Sequence, residues 1–222
     1  MVRNPATPMT LLRSDASTTN NHPEKKRMRA NINIATLNIN GSSAPSCNLS
    51  LLEKWAMINQ TLNEHKIAIL AIQESHLDQE KINCIRESFG KKMQIEFSMD
   101  ESTPQSHAGV AFVINKALIS PRAIHVHKLV PGNALALKID WLETESTTLL
   151  NIYAPVNKRD QAAFWTTVES GRCLKRFPRP NFMLGDLNVT EDPIDRATTH
   201  ADDHSATDVL RDIRLTWDLR DV

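Results

Sequence analysis

The sequence predicts an α/β fold in which two packed β-sheets carry helices on their outer faces. Three observations predict it. Apolar, β-favouring runs alternate with segments of helical period early in the chain, and several strand-like runs then follow one another directly. Four of these runs stop on amides or carboxylates that a strand core does not accept. The 222 residues, 41% hydrophobic and 23% charged, suffice for one substantial core in an ordinary globular composition.

The elements follow in order. Residues 1–29 are rich in Thr, Asn, Ser, Pro and charge and lack periodicity, which predicts a disordered leader. It ends in a basic run from Lys25 to Arg29, read as a solvated stretch beside a domain boundary or as a nuclear-import or nucleic-acid patch. The folded domain is expected over residues 30–222. A strand at Ile32–Leu37 precedes a helix at Leu49–Lys66, whose Leu51, Trp55, Ile58 and Leu62 share one face. A strand at Ile67–Ile72 follows, and Asp78 is placed to cap a helix with Ile82, Ile85 and Phe89 inward. Five further strands are expected at Gln94–Ser98, Gly109–Ile114, Ala123–Lys128, Ala134–Trp141 and Thr147–Tyr153. Met99–His107 reads as a polar loop, and Pro131-Gly132 as a turn. A helix from about Asp160 to Lys175 leads into a strand at Phe182–Leu184. Leu187–Asp203 reads as loop, and Ser205–Leu219 as a helix with Val209, Ile213 and Trp217 on one stripe.

Bulk properties narrow the function. The formal net charge is zero, so any nucleic-acid surface must be local. Cys47, Cys84 and Cys173 are odd in number, widely spaced and form no CxxC pair. That argues against a disulfide framework or a zinc site and suits a reducing compartment. The longest apolar run near a strand, IAILAI, is far too short to span a bilayer. The N-terminus has no sustained apolar stretch of the secretory kind.

The polar strand ends carry the chemistry. Ile32–Asn40 reads INIATLNIN, Ile67–His76 reads IAILAIQESH, Leu149–Pro155 reads LLNIYAP and Asn181–Asn188 reads NFMLGDLN. With a period of two, Asn38 lies in line with Ile32 and Ile34. Glu74 falls in line with Ala68, Leu70 and Ile72, and Asp186 and Asn188 with Phe182 and Leu184. Acids at the edge of a core must be paired or bind a metal, so two acids and several amides at four strand ends suggest one shared site.

These segments resemble the endonuclease/exonuclease/phosphatase superfamily, the deoxyribonuclease I-like fold, and within it the apurinic-type endonuclease domains of LINE-type retrotransposons. The residues that carry the resemblance are TLNING (Thr36–Gly41), IQESHL (Ile72–Leu77), HAGVAFVI (His107–Ile114), NIYAPV (Asn151–Val156) and GDLNVTEDPIDR (Gly185–Arg196). They stand in family order over roughly residues 31–222. The resemblance implies a four-layer α/β sandwich and a magnesium-dependent (or manganese-dependent) phosphodiester hydrolase acting on DNA, intracellular and nuclear. It implies that Glu74 holds the metal, with Asn38 assisting at metal or phosphate. Asn40 stands where many relatives carry Asp, which favours weak magnesium binding with much of the coordination from water and substrate. It implies that Asp186 orients and deprotonates the attacking water, Asn188 steadies the phosphate, and Tyr153 places its hydroxyl nearby. Arg196, beside Asp195, would lie along the substrate groove.

Each of these residues also has a plainer reading. Glu74 could end its strand in a salt bridge, Asp186 and Asn188 could form an Asx turn, Tyr153 could be a core tyrosine, and Arg196 could pair with Asp195. The family pattern continues into strands that bring a further Asp and a Ser-Asp-His, and nothing here matches them. Asp203-His204 comes too soon after Asn188, and His200 and His204 read as part of a polar loop. The expectation is therefore a domain missing its C-terminal strands and weak or inactive by itself. The competing readings are a non-catalytic relic or gene-model fragment of such a domain, and a phosphoinositide-type phosphatase relative.

Overall fold

The computed structural model describes residues 32–41, 48–100, 109–142, 145–174, 176–189 and 204–220. The expected leader, Cys47, His107, Asp195, Arg196, His200 and Asp203 lie outside the described residues.

Strand β1 (Asn33–Asn38) is followed by helix α1 (Leu49–Glu64), strand β2 (Ile67–Gln73), helix α2 (Gln79–Phe89) and strands β3 (Met93–Ser98) and β4 (Val110–Asn115). Then come β5 (Ile124–Val130), β6 (Ala134–Leu142), β7 (Glu145–Tyr153), helix α3 (Lys158–Leu174), β8 (Phe182–Asp186) and α4 (His204–Trp217). Every expected helix and strand is present, with no end shifted by more than two residues. Helix α1 starts where the Asn48 side chain accepts the Leu51 N–H at 2.8 Å, and α2 where Asp78 accepts the Lys81 N–H at 2.8 Å.

Two four-stranded mixed sheets result, ordered β1-β2-β4-β3 and β5-β6-β7-β8. Strands β1 and β2 run parallel, as do β7 and β8, and the remaining neighbours are antiparallel. Three apolar layers hold the four structural layers together. Trp55, Leu62, Leu70, Ile72, Ile82 and Ile85 join the first two helices to the first sheet. Ile69, Ala71, Phe112, Ile114, Leu135, Leu137 and Leu149 fill the space between the sheets. Ile152, Trp165, Val168, Leu210, Ile213 and Trp217 seat α3 and α4 on the second sheet. Strand β2 explains its own sequence: it is central, buried on both faces, and so reads as an unbroken apolar run.

Strands β1 and β8 are each the outer strand of their sheet. Their exposed Leu37 and Phe182 are 46% and 45% accessible, unlike the fully covered side chains between the sheets. Cys84 on α2 is disulfide-bonded, whereas the spacing of the three cysteines had argued against a disulfide framework; Cys173 is free and exposed.

Candidate active site

The site forms where the C-terminal ends of β1, β2, β7 and β8 meet. Thr36 and Asn38 continue the face of β1 that carries Ile34 toward the second sheet. Asn38 donates its Nδ2 to Glu74 Oε1 at 2.9 Å, while its Oδ1 accepts the Asn40 N–H at 3.0 Å. The phenol of Tyr153 stands close enough to Glu74 and Asp186 to feel both charges. Tyr153 is the register partner of Asp186 across the β7–β8 pair, so the second acid stands beside the phenol.

Glu74 does not reach this place by strand alternation. A period of two sets it on the face of Leu70 and Ile72, and those side chains pack under the helices. The strand ends instead at Gln73, and Glu74 takes a left-handed conformation with φ 49°. That turn carries its carboxylate to Asn38 and Tyr153. It is clamped from both sides, by Gly41 N–H donating to Glu74 O at 2.7 Å and by Ser75 N–H donating to Gly109 O at 3.0 Å. A Cβ on Gly41 would collide with the Glu74 carbonyl oxygen, so the close approach requires glycine there. On the far side of that loop, the Lys54 Nζ on α1 donates to Ile39 O at 2.9 Å.

Asp186 and Asn188 realise the Asx turn that the sequence allowed. Asp186 Oδ1 accepts the Asn188 N–H at 3.1 Å, and Asn188 is left-handed at φ 49°. Asn188 therefore lies beyond the strand and not on an extended face with Asp186. Its Nδ2 donates to Ala154 O at 2.7 Å. Gln161 on α3 donates to both Pro155 O and Asn188 O, at 3.0 and 2.7 Å, and stitches the loops after β7 and β8 together. Both residues of the turn line a cleft of about 630 Å³, with Thr36, Leu37, Asn38, Gln73, Leu187 and Val189.

Tyr153 is the site's most perturbed group. Burial pushes its phenol up to about 12, reinforced by the hydrogen bond to Glu74 and by the charges of Glu74 and Asp186. It stays a hydrogen-bond donor throughout the physiological range.

The structure thus brings Asn38, Glu74, Tyr153 and Asp186 together and sets Asn188 on the same cleft. Asn40 contributes its backbone to the loop beside Glu74 and accepts Lys54 Nζ at 3.4 Å through its carbonyl. Arg196 lies outside the described residues. Sequence reasoning gave no role to Thr36, Gln73 or Asn151, which build the floor of the site. An amide inside the otherwise apolar LLNIY was the available signal.

The donors gathered at these strand ends are hard oxygens, two carboxylates with amide and hydroxyl groups, and they suit a hard divalent cation that keeps several waters. Among the described residues no group of three or more His, Cys, Asp or Glu is gathered for a metal. Glu74, with the oxygens of Asp186 and Asn38 nearby, is the set that could hold one.

A domain with two mixed four-stranded sheets between helix pairs is a deoxyribonuclease I-like α/β sandwich, and solved structures of that architecture match it. The endonuclease domain of TRAS1, a telomere-specific non-LTR retrotransposon, matches with TM-score 0.52 and 15% identity, over 84% of this chain and 72% of that one. An AP endonuclease from Archaeoglobus fulgidus matches with TM-score 0.60 and 18% identity, over 83% and 70%. The AP endonuclease LMAP from Leishmania major matches with TM-score 0.60 and 14% identity, over 82% and 65%. No family model and no curated protein matches the chain.

Proposed function

We propose that this chain is a magnesium-dependent phosphodiester hydrolase domain of retroelement type that nicks DNA in the nucleus. The observation that carries the reading is the gathering of Asn38, Glu74, Tyr153 and Asp186 at neighbouring strand ends, beside a cleft that Asn38, Asp186 and Asn188 line. The likeness to a retrotransposon endonuclease domain and to AP endonucleases supports it.

Glu74 is the metal carboxylate in this reading, and Mg²⁺ or Mn²⁺ supplies charge neutralisation on the phosphate and the departing oxygen. The chain's own groups do the rest. Asp186 has one oxygen tied to its turn and offers the other to a water, which it orients and from which it takes a proton. That water adds to phosphorus, one P–O ester bond breaks, and the departing oxygen takes a proton from solvent. Tyr153, held protonated, donates to a phosphate oxygen. Asn188 has one Nδ2 hydrogen on Ala154 O and a second for the phosphate. Asn38 holds the Glu74 carboxylate in place, and Arg196 serves the DNA backbone.

The test is nicking of supercoiled plasmid by the purified chain, with inositol phosphates as parallel substrates. Slow nicking that needs Mg²⁺ or Mn²⁺, stops with chelator and drops at least about tenfold in Asp186→Asn supports the reading. Phosphate release from inositol phosphates without nicking would replace it with the phosphatase alternative. Metal-independent nicking, or nicking unaffected by Asp186→Asn, would remove these residues from the mechanism.

A further inference from the structure

Two lysines reach the backbone of the site, and the mechanism uses neither. The two segments that cross there hold three left-handed residues other than glycine, Asn40 at φ 41°, Glu74 at φ 49° and His76 at φ 46°. Such residues persist only where their surroundings fix them several times over. Before Glu74 the chain is fixed by the buried Gln73, whose Nε2 donates across the sheets to Asn151 Oδ1 at 2.7 Å. Asn151 in turn donates its Nδ2 to Ile72 O at 3.0 Å and to Ala111 O at 2.9 Å. After Gln73 the strand has ended, and the holding groups come from the helices.

Lys81 on α2 is 6% exposed, and a buried ammonium is costly unless it is well paired. Its Nζ donates to His76 O at 2.9 Å, while the carboxylate of Asp78 stands farther off at 3.7 Å. Lys54 on α1 is half-buried and serves the other segment, with its Nζ donating to Ile39 O at 2.9 Å and lying 3.4 Å from Asn40 O. An ammonium has donors only, and its charge strengthens each bond to a carbonyl. Between the lysines the two segments are joined to each other, Ile39 N–H donating to Gln73 O at 3.2 Å and Gly41 N–H to Glu74 O at 2.7 Å. Lys81 thus holds the chain just after Glu74, and Lys54 holds it just after Asn38, the residue bonded to the Glu74 carboxylate. Both helices are seated on the same face of the first sheet, through Trp55 and Ile82, so the lysines act from rigid elements. We propose that Lys54 and Lys81 are positioning residues, which hold the two crossing loops from the helices and so fix the direction of the Glu74 carboxylate. Only the consequence at the metal depends on the nuclease reading; the loops can be followed with no metal or substrate present.

The amides of Gly41 and Ser75, which donate to Glu74 O and Gly109 O, report the crossing through their hydrogen-exchange rates in NMR. The experiment compares the full chain with Lys54→Met and Lys81→Met, which keep an apolar stem and remove the ammonium, with circular dichroism as the check of folding. Lys81→Met is expected to speed exchange at Gly41 and Ser75 at least about tenfold more than at Leu135 and Leu137 on β6, and Lys54→Met to do so at Gly41. A rise at Gly41 and Ser75 no larger than on β6 would overturn the proposal, because the lysines would then serve overall stability and not the loops. Should Lys81→Met not fold, Lys54→Met tests the same claim at Gly41, from a side chain only half-buried. Mn²⁺ affinity, read from the electron paramagnetic resonance of the free ion, separates this inference from the nuclease reading. If the full chain binds no Mn²⁺ but the amides respond, the metal reading fails and the lysine clamp stands. If Mn²⁺ binds, is lost in Glu74→Gln, and the amides do not respond, the clamp fails alone. If both hold, the folded Lys81→Met variant should bind Mn²⁺ at least about tenfold more weakly, as loss of a group behind a metal ligand does. An unchanged affinity there would overturn the aiming of Glu74.

Discussion

Replacing Glu74 by Gln tests the core of the site with one side chain and one optical signal. The phenol of Tyr153 is raised from 10 to about 12, by burial first and then by Glu74 and Asp186. At about pH 11, a pKa of about 12 leaves roughly 9% of the phenol ionised, against roughly 91% at the ordinary value of 10. Glu74→Gln removes the Glu74 charge, weakens the acceptor facing the phenol from a carboxylate to a neutral amide, and leaves burial and the Asp186 charge. The midpoint should fall to between the two values, with roughly half the phenol ionised at about pH 11. A glutamine oxygen still accepts from Tyr153 and Asn38, so the local fold is retained. The sign of the stability effect follows from the direction of the shift. The folded state holds this proton more tightly than the unfolded chain. The contribution is therefore complete below pH 10 and is lost as the pH climbs from 10 to about 12. Glu74→Gln should flatten part of that alkaline loss in urea denaturation. A midpoint that stays near 12 in Glu74→Gln, read from the absorbance of the chain's sole tyrosine, would refute the influence of Glu74 on Tyr153.

Three further outcomes are expected. Gly185 sits in β8 at φ 127°, and a Cβ there would collide with the Ile152 carbonyl oxygen on β7. Gly185→Ala should destabilise the domain by more than about 2 kcal/mol in urea titration, and a loss under about 0.5 kcal/mol would mean that β8 can shift freely. Phe112, fully buried between the sheets, should cost about 3–5 kcal/mol when cut to Ala, measured the same way. Glu169 on α3 is held below the ordinary carboxylate range, chiefly by the hydrogen bond from Arg172, and it also accepts the Trp217 Nε1–H of α4 at 3.0 Å. A lowered pKa gives stability that is present above 4.5 and lost as the pH falls through the lowered value. Glu169→Gln should therefore be less stable than wild type near neutrality, and the two should converge in acid.

Much of the architecture was legible because burial on one or two faces leaves a direct mark on the sequence. The apolar run of β2 and the 3.6-residue stripes of Trp55, Ile58 and Leu62 or of Val209, Ile213 and Trp217 each named an element and its buried face. The polar strand ends marked the site for the same reason, since Asn38, Glu74 and Asp186 occupy positions where the core stops. The direction of Glu74 was not legible. Its left-handed turn comes from hydrogen bonds to Gly41 and Gly109, residues far off in the sequence, and alternation alone puts the carboxylate under the helices. The cross-sheet amides escaped for a related reason. An isolated Asn in LLNIY and the Gln of IAILAIQ each look like a strand end until the two sheets are stacked.

The layering between the sheets gives these residues an order. On β7 the face turned to the first sheet carries Leu149, then Asn151, then Tyr153, and on β2 the matching face carries Ile69, Ala71 and Gln73. The sequence is apolar, then neutral amide, then acid and phenol, from the dry interior to the cleft. Each step suits its depth. A carboxylate at the level of Asn151 would lose its hydration with no cation to replace it, whereas an amide satisfied on all sides costs little. One level outward, Glu74 is half-buried, directly after the buried Gln73. The acids thus stand at the wet end of the sheets, next to a dry amide layer that bridges the two sheets, while the left-handed turn at Glu74 and the Asx turn at Asp186 set their directions.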